Sequence, residues 1–164
     1  MLPLYLVSER HIDQSWANTV VALSRSYGPI LGLAGGIVSD RIGPKGTMII
    51  SLAVTGCATI LLGAISNRWI SAVVLLQPFL AVCFFPAAFA ALALITPAAA
   101  RNFAVAFTIP FGYIIGGGAV PTFIGIMGDA GSFASGFIGT GALILCGAGL
   151  AMRLKLPMEK MERG

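Results

Sequence analysis

Charge is what this chain has least of: six acids, ten lysines and arginines and one histidine among 164 residues. A soluble globular domain carries about a quarter of its residues as Asp, Glu, Lys or Arg, so a water-soluble fold is excluded. The three cysteines, Cys57, Cys83 and Cys146, have neither metal-like spacing nor a histidine beside them, and read as small packing residues rather than metal ligands. No phosphate-cradling glycine loop and no hydrolytic triad is visible. The sequence therefore predicts no enzyme, no cofactor and no metal. His11 reads as a solvated loop residue.

Apolar residues fill the chain instead, at 57% hydrophobic with a mean hydropathy of +0.94. A spanning helix needs about 20 consecutive apolar residues to cross a hydrocarbon core of about 30 Å. Five such runs are present, over about 17–38, 47–65, 69–95, 103–127 and 133–152. Their connections are short, and they lack the period-two alternation of barrel strands. The fold class expected is an all-α integral membrane bundle of five full spans, forming a single membrane domain over 1–164 with a tail from 154 to 164. The leading "MLPLYLV" is apolar but too short to cross. With no basic n-region before it and no small-residue cleavage site after it, it reads as the end of a sixth helix rather than a signal peptide.

Basic residues mark the cytoplasmic side of multi-pass proteins. One set of breaks holds Arg41, Lys45, Arg101, Arg153, Lys155, Lys160 and Arg163, while the other holds Arg10 and Arg68 beside Glu9, Asp13 and Asp129. This places the segment around Arg41 and the C-terminus in the cytoplasm, in what would be a bacterial inner membrane. The net charge of +4 is largely this topology signal and calls for no nucleic acid. The expected partners are the lipid bilayer and a small-molecule substrate.

Glycines and prolines mark where helices approach or bend. Ser24, Gly28, Gly32 and Gly36 recur every four residues, a stripe that permits close backbone contact. "FGYIIGGGAVP" carries Gly112, Gly116, Gly117, Gly118 and Pro121, which weaken and bend a helix unless neighbours support it. With Pro78, Pro86 and Pro110 in the same two long runs, the pattern predicts helices that rock, as transporters require.

Arg25 stands alone as a charged side chain inside a span. Insertion scales put an arginine near the bilayer centre at about +3 kcal/mol. Its helical neighbours Asn18, Gly28, Pro29 and Gly32 make a small or polar face suited to a cavity. Two readings stay open: a structural arginine that snorkels or bonds neighbouring carbonyls, or a cationic fork for a carboxylate, nitrate-like or phosphate-bearing solute. No span contains Asp or Glu to neutralise it. Gln77, Thr108 and Tyr113 are candidate polar linings of the same cavity.

The segment "GIVSDRIGPKGTM" from Gly36 joins the first two spans. It resembles the signature loop of the major facilitator superfamily, with Gly36, Asp40, Arg41, Gly43 and Lys45 at the expected positions and Pro44 where a basic residue is usual. Four spans follow the loop, and one span and a stub precede it, which matches the second copy of the loop in such transporters. The resemblance implies helices eight to twelve with the end of helix seven, hence a C-terminal half whose N-terminal half would be a partner. It also implies alternating-access transport, with Asp40 latching onto a helix N-terminus of the other half, where an anion is favoured. Arg25 with "GYIIGGG" resembles nitrate/nitrite and small organic-anion porters more narrowly. A non-transporting membrane scaffold or inactive transporter fragment is the alternative.

Overall fold

The computed structural model describes residues 1–156, and among these the regular elements are all helical. The tail residues 157–164, Lys160 and Arg163 among them, lie outside the described residues. Four helices are long and apolar enough to cross a membrane, or five when the bent first pair counts as one. The bundle of five spans with a short N-terminal helix is thus as the sequence predicts.

That short helix is α1 (Leu2–Ser8). The first span divides into α2 (Gln14–Ser26), capped by Asp13 accepting from the Trp16 N–H at 3.1 Å, and α3 (Gly28–Ile42). The two meet at Tyr27 with a bend of 42°. Pro29 accounts for it: its ring crowds the carbonyl four residues back, that of Arg25, and it has no N–H to bond there. One residue, Gly43 with φ +83°, turns the chain into α4 (Pro44–Ala64). Pro44 opens α4, where a missing N–H costs nothing and a fixed φ suits the first turn, so the helix start explains the proline that the loop pattern does not.

The third span runs over Asn67–Ile95 as α5 (Asn67–Val82) and α6 (Phe84–Ile95), interrupted at Cys83. Pro86 again withholds an N–H, here from the Val82 carbonyl. The fourth span, Ala98–Asp129, consists of a short 3-10 turn, α7 (Arg101–Tyr113), a π-helical segment Ile114–Ala119, and α8 (Val120–Asp129). Along α7 the rings of Phe103, Phe107 and Phe111 follow one another at centroid separations of 5.1 and 5.6 Å on an exposed face. The last span is α9 (Phe133–Arg153).

The tightest packing joins α4 to α9, which run antiparallel. A methyl group on Gly141 would lie 2.7 Å from the Gly56 carbonyl oxygen, and one on Gly63 would lie 2.5 Å from that of Ala134. Lipid offers no hydrophobic gain for helix association, so contact area and close backbone approach must supply it. The close approach therefore falls on Gly56, Gly63 and Gly141, not on the Ser24, Gly28, Gly32 and Gly36 stripe. Methyls on Gly28 and Gly36 would meet open space, whereas one on Gly35 would sit 2.8 Å from Cys83 Cα. The bend at Tyr27 breaks the register that a straight helix would give the stripe, and Gly35 abuts the interruption in the third span. The cysteines also differ from expectation. Cys57 and Cys146 lie on exposed faces, which an apolar thiol tolerates against lipid, and Cys83 alone is partly buried.

At the α1 end the packed core gathers Tyr5, Leu6, Val20, Leu62, Ile70 and Phe137. Tyr5 is fully buried, and its hydroxyl donates to the Leu62 carbonyl at 2.6 Å. Arg10 completes this corner. Its Nε donates to the Tyr5 hydroxyl at 2.6 Å and an Nη to the Gly63 carbonyl at 2.9 Å, so α4 ends on charged donors where its last carbonyls lack helical partners. Glu9 accepts from the Ala134 N–H at 3.2 Å, placing an acid at the start of α9.

Candidate functional site

Arg25 occupies the last turn of α2, exposed, just before the Tyr27 break and near the middle of the first span. The C-terminal end of a half-helix carries partial negative charge, which favours a cation there. Among the described residues its guanidinium has no hydrogen bond or ion pair. Tyr27 donates its hydroxyl to the Leu75 carbonyl and so ties the break to α5. Asn18 lies two turns back along α2 and is likewise exposed.

The remaining candidates lie elsewhere. Gln77 is partly buried, and its amide donates to the Thr59 hydroxyl at 3.3 Å, a bond between α5 and α4. Tyr113 lines a cavity of about 970 Å³ between α6 and α7 together with Thr108, Gly116 and Gly117. Arg25, Asn18 and Gln77 do not line that cavity. Five residues expected around one cavity therefore occupy three places: Arg25 and Asn18 on α2 before the break in the first span, Gln77 at the α4/α5 contact, and Thr108 and Tyr113 at the α6/α7 cavity.

The glycine run has a specific conformation. Ile114–Ala119 forms a π-helix, a wider turn that accommodates an extra residue in an α-helix and recurs at functional sites. Gly116 and Gly118 face open space, Gly117 lies under the Tyr113 ring, and Pro121 sits in the first turn of α8. Three successive glycines remove the side-chain packing that would hold the regular i to i−4 ladder, and Pro121 takes away the N–H that would bond Gly117.

In the signature loop, Asp40 and Arg41 are exposed in the last turn of α3, and Gly43 adopts its positive φ directly after. Asp40 has no hydrogen bond or ion pair among the described residues. Its carboxylate sits at the unfavourable end of the α3 dipole. Gly36 faces open space one turn before it.

A model of the Major Facilitator Superfamily matches residues 1–163. The chain belongs to the major facilitator superfamily. No curated protein and no solved structure matches it at a significant level. As a superfamily member it is a multi-pass membrane transport protein. The sequence reading missed two of its structured features. The Arg10 corner gave no signal, because its partners are main-chain carbonyls more than fifty residues away. The bend at Tyr27 had one: Pro29 four residues after the arginine.

Proposed function

We propose that this superfamily member works by alternating access as a secondary carrier, and that a small anionic solute is held by Arg25. The supporting observation is the guanidinium itself: a charge near the middle of a membrane span, at a helix break, without a protein partner among the described residues. A guanidinium left unpaired at that depth of a membrane is costly, and the acids within the described spans, Asp40 and Asp129, stand at span ends. An anion supplies both the counter-charge and acceptors for the planar fork. Asn18, on the same helix, offers a neutral amide beside the bound anion. Gln77, which bonds Thr59, and Tyr113, which lines the α6/α7 cavity, stand apart from Arg25 and have no part in holding the anion.

On this reading the signature loop faces the cytoplasm, and Asp40 latches onto a helix N-terminus of a second, N-terminal half of the carrier. Arg41 and Lys45 hold the loop at the cytoplasmic surface. The bends at Tyr27 and Cys83 and the π-segment allow the halves to rock.

The test is anion uptake into proteoliposomes containing the chain together with its other half. Arg25→Ala should lower uptake at sub-saturating anion by about tenfold or more, the loss expected for a charge-assisted bond. Arg25→Lys should recover only part of it, because an ammonium lacks the bidentate fork. Undiminished uptake by Arg25→Ala would overturn the binding role.

A further inference from the structure

The α6/α7 cavity has an apolar interior, and cations adjoin two of the residues that line it. Its walls come from Phe84, Phe85, Leu92, Ile95 and Ile109, and among the described residues no acid or base lines it. Of its two hydroxyls, Thr108 already donates to the Ala104 carbonyl at 2.8 Å. Water would find few partners there. Leu154 closes one end, and it stands between Arg153 and Lys155, both exposed. At the same end α6 finishes and α7 begins. There Arg101 donates to the Ala93 carbonyl at 3.0 Å, next to Leu92 of the wall. That bond uses one nitrogen of the guanidinium; the rest of the fork has no partner among the described residues.

We propose that this cavity is a binding site for an anionic phospholipid, with an acyl chain between α6 and α7 and the phosphate on Arg101, Arg153 and Lys155. The argument is one of complementarity in two parts. A soluble anion would use the cations and leave the apolar interior empty. A neutral apolar molecule would fill the interior and leave the cations unused. A lipid chain with a negative headgroup satisfies both, and the cations lie at span ends, the depth at which headgroups sit. Gly112 and Gly116, whose missing side chains leave open space on the α7 wall, keep the cavity wide enough for the chain.

The test is native mass spectrometry of the purified full chain in detergent micelles, titrated with phosphatidylglycerol, with phosphatidylcholine of the same acyl chains, and with inorganic phosphate. Phosphatidylglycerol should be retained at least tenfold more tightly than phosphatidylcholine, and phosphate at equal concentration should not displace it. Arg153→Gln with Lys155→Gln should reduce the preference by about fivefold per cation removed while leaving phosphatidylcholine binding in place. Ala88→Trp should expel both lipids, with Gly112→Phe filling the opposite wall as a second variant should the first not fold. Equal binding of the two lipids, displacement by phosphate, a preference that survives loss of the cations, or lipid retention by both wall-filling variants would each overturn the proposal.

Discussion

Gly56 and Gly141 face each other across the α4/α9 seam so closely that a methyl group on either would lie within 3.0 Å of the other's carbonyl oxygen. Neither backbone can retreat without opening the contact that joins these two spans. In a bilayer, where apolar side chains gain nothing by leaving lipid, such close approach is the main source of association.

Gly141→Leu should therefore destabilise the chain by about 1–3 kcal/mol, the usual cost of overpacking a filled contact. Gly147→Leu, six residues along the same helix but facing open space, should change stability little. Thermal unfolding of the two variants in detergent, followed by tryptophan fluorescence, separates them.

At the α1 end, Arg10 caps the carbonyls that close α4. Arg10→Ala removes charged donors to Gly63 and the Tyr5 hydroxyl, and should cost about 1.5–3 kcal/mol. Arg10→Lys should recover part of that, because an ammonium cannot span both acceptors from one fixed plane. Tyr5→Phe, which removes both the bond to Leu62 and the acceptor of Arg10 Nε, should cost about 1–3 kcal/mol. The same unfolding measurement ranks the three.

Gly43 adopts φ +83° and ψ 153°, a region essentially reserved for glycine. Gly43→Ala should cost about 1–3 kcal/mol and should disturb the angle at which α3 enters α4. Asn at this position should not rescue it, since Asn tolerates the left-handed helical region rather than this one. Protease sensitivity of the Ile42–Lys45 connection in proteoliposomes gives the readout.

The π-segment corresponds to one extra residue in the fourth span. Deleting Gly117 should restore a regular helix and leave α8 in nearly its present register against α7, because the wide turn is what absorbs the extra residue. Because α8 then keeps its packing on α9 and Ile124 its place in the core, the expected outcome is loss of transport in a protein that still folds, the wide turn and not the fold being what is removed. Uptake measured beside helical content by circular dichroism checks this, and transport at the undeleted rate would contradict it.

Much of the scaffold was legible because length and hydropathy act locally. Each of the five spans exceeds the thickness of the hydrocarbon core, and Gly43 stood in the motif position where the turn occurs. The candidate site was less legible. Arg25 could be singled out because a charge inside a span is rare, but its relation to Gln77 and Tyr113 depends on which faces of three separate helices meet. Gln77 turned out to bond Thr59, an interhelical contact, while Tyr113 joined Thr108 at the α6/α7 cavity. The glycine stripe failed for a related reason. Its period of four presumes a straight helix, and Pro29 bends the span before Gly32 and Gly36 can continue the face that Ser24 and Gly28 begin.

By itself, the sequence determined that this is a membrane protein, where its candidate spans fall, and where its charged turn lies, because burying a peptide in hydrocarbon leaves helix as the available local structure and charge as the marker of its ends. Only the tertiary structure decided that Gly56 and Gly141 rather than the Ser24 to Gly36 stripe join helices, that Arg10 closes α4, and that Phe84, Phe85 and Tyr113 come to line one cavity between α6 and α7. Those outcomes depend on the rotation and tilt of one helix against another, and side-chain contacts between segments distant in the chain set both.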